Sequence, residues 1–468
     1  MPDSIDRAEA PLEFIPPGFN PFVLKFAQWT LPIVFRFRLR KWLTTGINRF
    51  ETENTEQLVA LYQKFQAGKI RFLMAFRHPE VDDPLTMLHL VSRAVPSSAR
   101  KLSINLRYPI HSHFMYERGM TIWAGNWLAT YFSHLGGFPI RRGKKVDKTG
   151  LKTARSLFAN GQFPIAVAPE GATNGHSGIV STLEPGVAQL GFWCVEDMLK
   201  ANRSEEVYIL PIAIEYSYLN PPWKKLDRLL SKLEIDSGLG LPEVEANGNL
   251  EDIYYKRLLR LAEYLLNEME EFYRRYYHKN IPPITVETNP ENNQIITTRL
   301  QRLLDTALQV SEEYFNLPSQ GTFIERCRRL EEAGWSYIYR EDLPDLDSLP
   351  KFKRGLADWI ASEADLRMRH MRLAETFVAV TEKYIQEKPT PERFCEMTLL
   401  IFDMMSRIKD RKLPGRPRLG WRKAKITIGE PLNVSERWST YQTDRQSARL
   451  AVTNLTKDIH RELQKMVS

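Results

Sequence analysis

The fold open to this chain is constrained first by where its apolar pattern changes period. Up to Tyr218, short apolar runs alternate with segments of helical spacing. Ile70 to Phe76, Phe163 to Ala168 and Val207 to Ile214 read as strands, while Thr55 to Gly68, Pro84 to Val95 and Lys152 to Phe158 read as helices. That order predicts an α/β domain whose strands point their C-terminal ends at one face, where such folds place their sites. Asn220-Pro221-Pro222 then breaks the chain, and helical spacing dominates as far as Gly420. Tyr254, Leu258, Leu261, Leu265, Met269, Phe272 and Tyr276 recur at steps of three and four, as do Leu366, His370, Leu373, Phe377, Val380 and Tyr384. Stripes of this kind are expected to be core or helix-pairing faces. Strand character returns only at Lys425 to Ile428, ahead of a last helix from about Asp444 to Met466.

Charge placement narrows the partners. The chain has 468 residues, 26% of them charged, and a formal charge of +8. From Phe14 to Phe50 it carries Lys25, Arg36, Arg38, Arg40, Lys41 and Arg49 with no acidic residue. In the same segment Phe22, Phe26, Trp29 and Ile33 recur at helical spacing. An apolar stripe followed by a basic cluster suits a helix lying in the headgroup region of an anionic membrane, the alternative being a helix docked on the domain's own core. Lys25 and Pro32 argue against a membrane span, and Gly119 to Ile140 is too polar for one. A second basic run extends from Lys409 to Lys425. The aromatics beside these charges form a stripe rather than stacking platforms, so nucleic acid is not expected. Cys194, Cys327 and Cys395 are far apart, without a CxxC pair. A disulfide framework and a zinc site are therefore not expected, and a reducing cytosol is the natural home. No secretory signal is visible, and a cytoplasmic protein on the inner face of a membrane is expected.

Phe76-Arg77-His78-Pro79-Glu80-Val81-Asp82-Asp83-Pro84 carries the chemistry. An alcohol is a poor nucleophile at neutral pH, and a positioned histidine is the base most often used to activate one. An aspartate accepting from the other ring nitrogen would fix the tautomer, which is triad logic with the substrate supplying the hydroxyl. Asp83-Pro84 also reads as a helix opening, with Asp as N-cap and Pro at the first helical position. Residues five apart on a helix lie about 140° around it, so His78 must sit in the preceding loop and fold back. Asp82 is the rival orienting group. His111-Ser112-His113 lacks a third ligand, and Gly175-His176-Ser177-Gly178 fails the nucleophile-elbow pattern at Ile179.

Four ordered segments, His78-x4-Asp83, Leu135-Gly-Gly-Phe-Pro-Ile-Arg-Arg142, Val167-Ala-Pro-Glu-Gly-Ala-Thr-Asn-Gly175 and Ile209-Leu-Pro-Ile212, resemble the motifs of the glycerolipid (lysophospholipid / 1-acylglycerol-3-phosphate) acyltransferase superfamily. Ile426-Thr-Ile-Gly-Glu-Pro-Leu432 is similar to the strand and turn that close its domain. The resemblance implies a mixed sheet flanked by helices. Because the closing strand is displaced so far along the chain, it implies a large all-helical insertion as well. The expected organisation is a basic amphipathic arm at 1–50, the first part of the acyltransferase domain at 51–219, the insertion at 220–420 and the closing strand and helix at 421–468. The implied activity is transfer of a fatty acyl group from acyl-CoA or acyl-carrier protein to the hydroxyl of a lysophospholipid or glycerol phosphate. Competing readings are a lipid or thioester hydrolase and a non-catalytic lipid-binding scaffold.

The resemblance assigns His78 as base and Asp83 as its orienting group. It assigns Arg142 as the acceptor-phosphate clamp, with Arg141 and Arg77 as further charge for the acceptor. Glu170 and Gly171 are expected to shape the acceptor pocket, Glu170 by pairing with an arginine or receiving backbone N–H bonds rather than by touching a phosphate. No cofactor or metal is implied, because the base is a side chain and the thioester is already activated. Arg77 stands where the family often has asparagine, and the Glu170-Gly171-Ala172-Thr173 string lacks the family's usual arginine. These departures lean towards larger lysophospholipids as acceptors.

Overall fold

A computed structural model describes residues 5–40, 43–141, 147–240, 249–282, 292–343, 345–377, 384–410 and 415–467. The chain divides into two compact units. A sheet unit takes residues 14–141, 147–219 and 421–467, and a helical unit takes residues 5–13 and the stretch between 220 and 420.

The sheet unit opens with α1 (Pro21–Arg36), β1 (Ile47–Glu53), α2 (Thr55–Gln66), β2 (Ile70–Phe76), α3 (Asp83–His89) and α4 (Val95–Lys101). It continues through β3 (His113–Glu117), α5 (Met120–Ala124), α6 (Asn126–His134), β4 (Gly137–Ile140), α7 (Lys148–Asn160), β5 (Ile165–Val167), α8 (Gly186–Lys200) and β6 (Glu206–Tyr218). The helical unit supplies α9 (Trp223–Ser237), α10 (Leu250–Tyr277), α11 (Asn292–Phe315), α12 (Phe323–Ile338), α13 (Lys351–Phe377), α14 (Tyr384–Glu387) and α15 (Pro391–Asp410). The chain then returns to the sheet unit as β7 (Arg422–Ile428), β8 (Leu432–Asn433), α16 (Trp438–Tyr441) and α17 (Arg445–Lys465).

The strands form one mixed sheet in the order β1-β7-β6-β2-β5-β3-β4, with β8 added on β6. β6, β2, β5, β3 and β4 run parallel, whereas β7 lies antiparallel to β6 and parallel to β1. Alternation on β2 explains why the sheet is covered on both faces. Phe72, Met74 and Phe76 join a core built with α2, α3 and α4, while Leu73 and Ala75 join another built with α7, α8 and α17. Arg71, the one charge on this strand, is buried and ties down α7. Its Nε donates to Phe158 O (2.7 Å) and its Nη2 to Gly161 O (2.8 Å), occupying carbonyls that the helix end leaves open.

Several expectations need correction. Residues 1–50 do not form one arm. Glu9 N donates to Ile338 O (2.8 Å) and Ala8 N to Asp358 (2.9 Å) in the helical unit, while α1 and the start of β1 belong to the sheet unit. β1 escaped notice because its apolar content is only Ile47 and Phe50. It is held at the sheet edge by Glu51–Lys423 (2.9 Å) and Glu53–Lys425 (3.0 Å) pairs. The helix expected over Pro84 to Val95 is interrupted by a π turn at Leu90–Ala94. Pro96 follows it, and a residue without an N–H cannot continue the regular ladder back to the preceding turn.

Candidate active site

β2 is flanked by β5 and β6, so the loops leaving the C-terminal ends of β2 and β5 emerge side by side. Ala75 pairs with Val167, and the two chains go on to His78 and Glu170 respectively. His78 lies in the loop before α3 and folds back, its Nδ1 3.0 Å from Asp83 Oδ2. The His78 side chain is 22% exposed and that of Asp83 is wholly buried. With Nδ1 facing the carboxylate, Nε2 is the nitrogen left for a substrate hydroxyl.

Asp83 is the first residue of α3 rather than its N-cap; Asp82 occupies the cap position without capping anything. Asp83 instead receives three donors. The His78 ring and Glu80 N–H (2.8 Å) reach Oδ2, and the Tyr216 hydroxyl reaches Oδ1 at 2.5 Å. Burial pushes its pKa above the usual carboxylate range, while the His78 and Tyr216 hydrogen bonds pull it back. Tyr216 is itself buried and held by Thr86 (3.0 Å).

Asp82 turns away from the histidine. It accepts from Thr44 N (3.2 Å), Thr45 N and Arg422 Nη2 (2.8 Å). Arg422 also reaches Glu80 (3.2 Å) and lies over the Tyr216 ring at 4.8 Å. Burial raises the Asp82 pKa and the Arg422 charge opposes it. Sequence reasoning left Arg422 inside the basic run and did not single out Tyr216; neither carries a local signal of its role.

Glu170 lies beneath the loop rather than facing an acceptor. Its Oε1 accepts from His78 N–H (2.9 Å), and its Oε2 from Ser181 N–H (2.9 Å) and Asn174 Nδ2 (3.0 Å). Gly171 has φ +73°, and a Cβ there would collide with Glu184, so glycine is what allows Glu170 to turn under His78. Arg77 is likewise not placed to bind substrate. It is fully buried, donates to the carbonyls of His176 (3.0 Å), Ser177 (2.6 Å) and Ile179 (2.5 Å), and comes within 3.9 Å of Glu170. Arg77, a candidate for added charge at the acceptor, thus directs its guanidinium to loop carbonyls, and Glu170 receives the backbone N–H bonds of a residue that shapes the pocket, partners of the kind that stabilise a buried charge.

Arg141 follows the C-terminal end of β4, on the same edge of the sheet, and its backbone N–H donates to Asp147 (2.8 Å). Three strand spacings separate β4 from β2, or about 14 Å. Arg142 lies outside the described residues. His111 and His113 are buried against the carbonyls of Leu135 (2.8 Å) and Gly136 (2.9 Å). Burial lowers the His111 pKa to about 4. Among the described residues no group of three or more His, Cys, Asp or Glu side chains could hold a metal ion.

The family model described as Acyltransferase matches residues 49–215, a span that includes His78, Asp83, Glu170 and β6 as far as Glu215. No curated protein matches the chain.

Proposed function

Residues 49–215 being a domain of the glycerolipid acyltransferase superfamily, we propose that this chain transfers a fatty acyl group from an acyl thioester to the hydroxyl of a lysophospholipid or glycerol-phosphate acceptor. The observation that carries this reading is the partly exposed His78 ring held 3.0 Å from a fully buried Asp83. In the reaction the acceptor oxygen attacks the thioester carbonyl as its proton passes to His78 Nε2. The new C–O bond forms, the C–S bond breaks, and the thiolate leaves with the proton returned by the imidazolium. Asp83 holds the ring in the tautomer with the proton on Nδ1 and stabilises the charge that develops. Glu170 and Arg77 act one layer below, fixing the backbone of His78 and the 174–181 loop. Arg141 and Arg142 are the candidates for the acceptor phosphate, by the guanidinium's fit to two oxygens.

Attachment to a membrane surface is part of the proposal. No helix among the described residues is long and apolar enough to cross a bilayer. α1 presents Phe22 (82% exposed), Phe26, Trp29 (68%) and Ile33 to solvent, with Lys25 among them and Arg36 in its last turn. Aromatic and basic residues on one exposed helix suit the interfacial region of an anionic bilayer.

The test is a panel of lysolipid and glycerol-phosphate acceptors with a labelled acyl thioester, run on the natural chain and on His78→Ala. General-base catalysis is worth about 10²–10⁴ in rate, so the variant should lose at least a hundredfold with its melting temperature unchanged. Activity retained by His78→Ala would end this mechanism. Release of free fatty acid independent of any acceptor would point to hydrolysis instead.

A further inference from the structure

Two of the helical stripes noted in the sequence do not close on each other. α10, α11, α13 and α15 leave between them a cavity of about 140 Å³. Leu258, Leu265 and Met269 of the first stripe and Leu373 of the second line it, facing Leu300 and Met404. No charged side chain lines it among the described residues. Among the described residues the side-chain oxygens on its walls are those of Tyr255, Thr297 and Tyr384, and Tyr384 directs its hydroxyl to Glu396. Packed interiors do not leave empty space on this scale, and an apolar cavity without hydrogen-bonding partners holds hydrocarbon rather than ordered water. The volume is close to that of an engineered apolar cavity, about 150 Å³, that stays dry and takes up a hydrocarbon guest. The methionines matter too. Met269, Met397 and Met404 all reach the cavity, and unbranched thioether side chains adapt their shape to a flexible occupant.

We propose that the helical unit binds the hydrocarbon chain of one single-chain lipid amphiphile in this cavity. The choice of an acyl chain over another hydrocarbon rests on the acyl-transfer reading given above; the cavity itself does not. The walls do not discriminate among headgroups, so a fatty acid, a lysolipid and an acyl thioester share the recognised chemistry.

The experiment uses the full chain and a palmitic acid bearing a diazirine near its methyl end. After irradiation and digestion, adducts are expected on peptides of α10, α11, α13 or α15. Decanoic, lauric, myristic and palmitic acids are then used as competitors, and each two-carbon step should lower the half-displacing concentration on the order of tenfold. Palmitoyl lysophospholipid and palmitoyl thioester form two further arms; whichever displaces the label at the lowest concentration identifies the source of the chain. Ala262→Trp, which fills the cavity, should abolish these adducts. If that variant does not fold, Leu300→Gln, at a half-buried wall position, is read instead and should weaken labelling at least tenfold. Adducts confined to the sheet unit, labelling insensitive to the folded variant, or displacement independent of chain length would each overturn the inference. The same labelling on His78→Ala separates the two proposals. Cavity adducts without turnover in the natural chain sink acyl transfer alone, and turnover without cavity adducts sinks the cavity alone.

Discussion

Asp83 can steady an imidazolium only while it is ionised, and Tyr216 is the donor whose removal should be legible in a pH profile. Burial already raises the Asp83 pKa, and the Tyr216 hydroxyl opposes that rise by favouring the charged form. In Tyr216→Phe the carboxyl should therefore protonate at higher pH. The acid limb of kcat/KM is expected to move upward, with the plateau less affected; an unshifted limb would remove Tyr216 from the positioning of His78. Arg422 calls for a different readout. It neutralises Asp82 and Glu80 in a buried cluster, so Arg422→Met strands carboxylates where water cannot reach them. Loss of one partner of a buried pair costs about 3–5 kcal/mol, and urea unfolding should show a drop of that order. A loss under about 1 kcal/mol would mean the cluster relaxes into solvent. His78 and Asp83 could be found by reading the chain because they are five residues apart across one loop-to-helix junction. Tyr216 and Arg422 could not, because 133 and 340 residues separate them from their carboxylates, and neither residue type is unusual where it stands.

At the scale of an element, α1 is the most informative. Its apolar residues make two stripes back to back, Phe22-Phe26-Trp29-Ile33 outward and Leu24-Ala27-Leu31-Phe35 inward. The sequence offered membrane binding and core docking as alternatives, and the inward face packs in the core while the outward face stands open. The two faces should respond differently to substitution. Phe22→Ser combined with Trp29→Ser should weaken sedimentation with anionic vesicles at least tenfold and leave the melting temperature within a few degrees. Phe35→Ala should instead cost about 3–5 kcal/mol of stability, because the ring lies against Phe50 (4.8 Å between centroids) and the core beneath it. Phe35 also meets His89 at the end of α3, the helix that begins with Asp83, so α1 and the site share packing. Vesicle binding unchanged by the outward pair would refute the membrane role of this helix.

Across the whole molecule, the decisive contact is that of the residues flanking the helical stretch. Leu219 N donates to Trp421 O at 2.9 Å, and Tyr218 pairs with Arg422 in the β6–β7 ladder. The chain leaves the sheet unit and re-enters it at neighbouring positions, which is the geometry of a hairpin. Replacing residues 220–420 with Asn-Gly should therefore leave a sheet unit that unfolds cooperatively in urea; a chain without a cooperative transition would show that the helices are needed for folding. The change of apolar period at Tyr218, the strand nature of β2, β5 and β6 and the His78-x4-Asp83 spacing were all legible in sequence, because each is set by residues within one turn or one strand of each other. Partnership between distant groups was not legible. Pairing of β1 with β7, the pull of Arg422 on Asp82, the burial of Arg77 and the cavity between α10 and α13 all depend on which surfaces meet. Local periodicity tells which face of an element is apolar, and only the tertiary structure decides whether that face finds protein, solvent or an empty space against it.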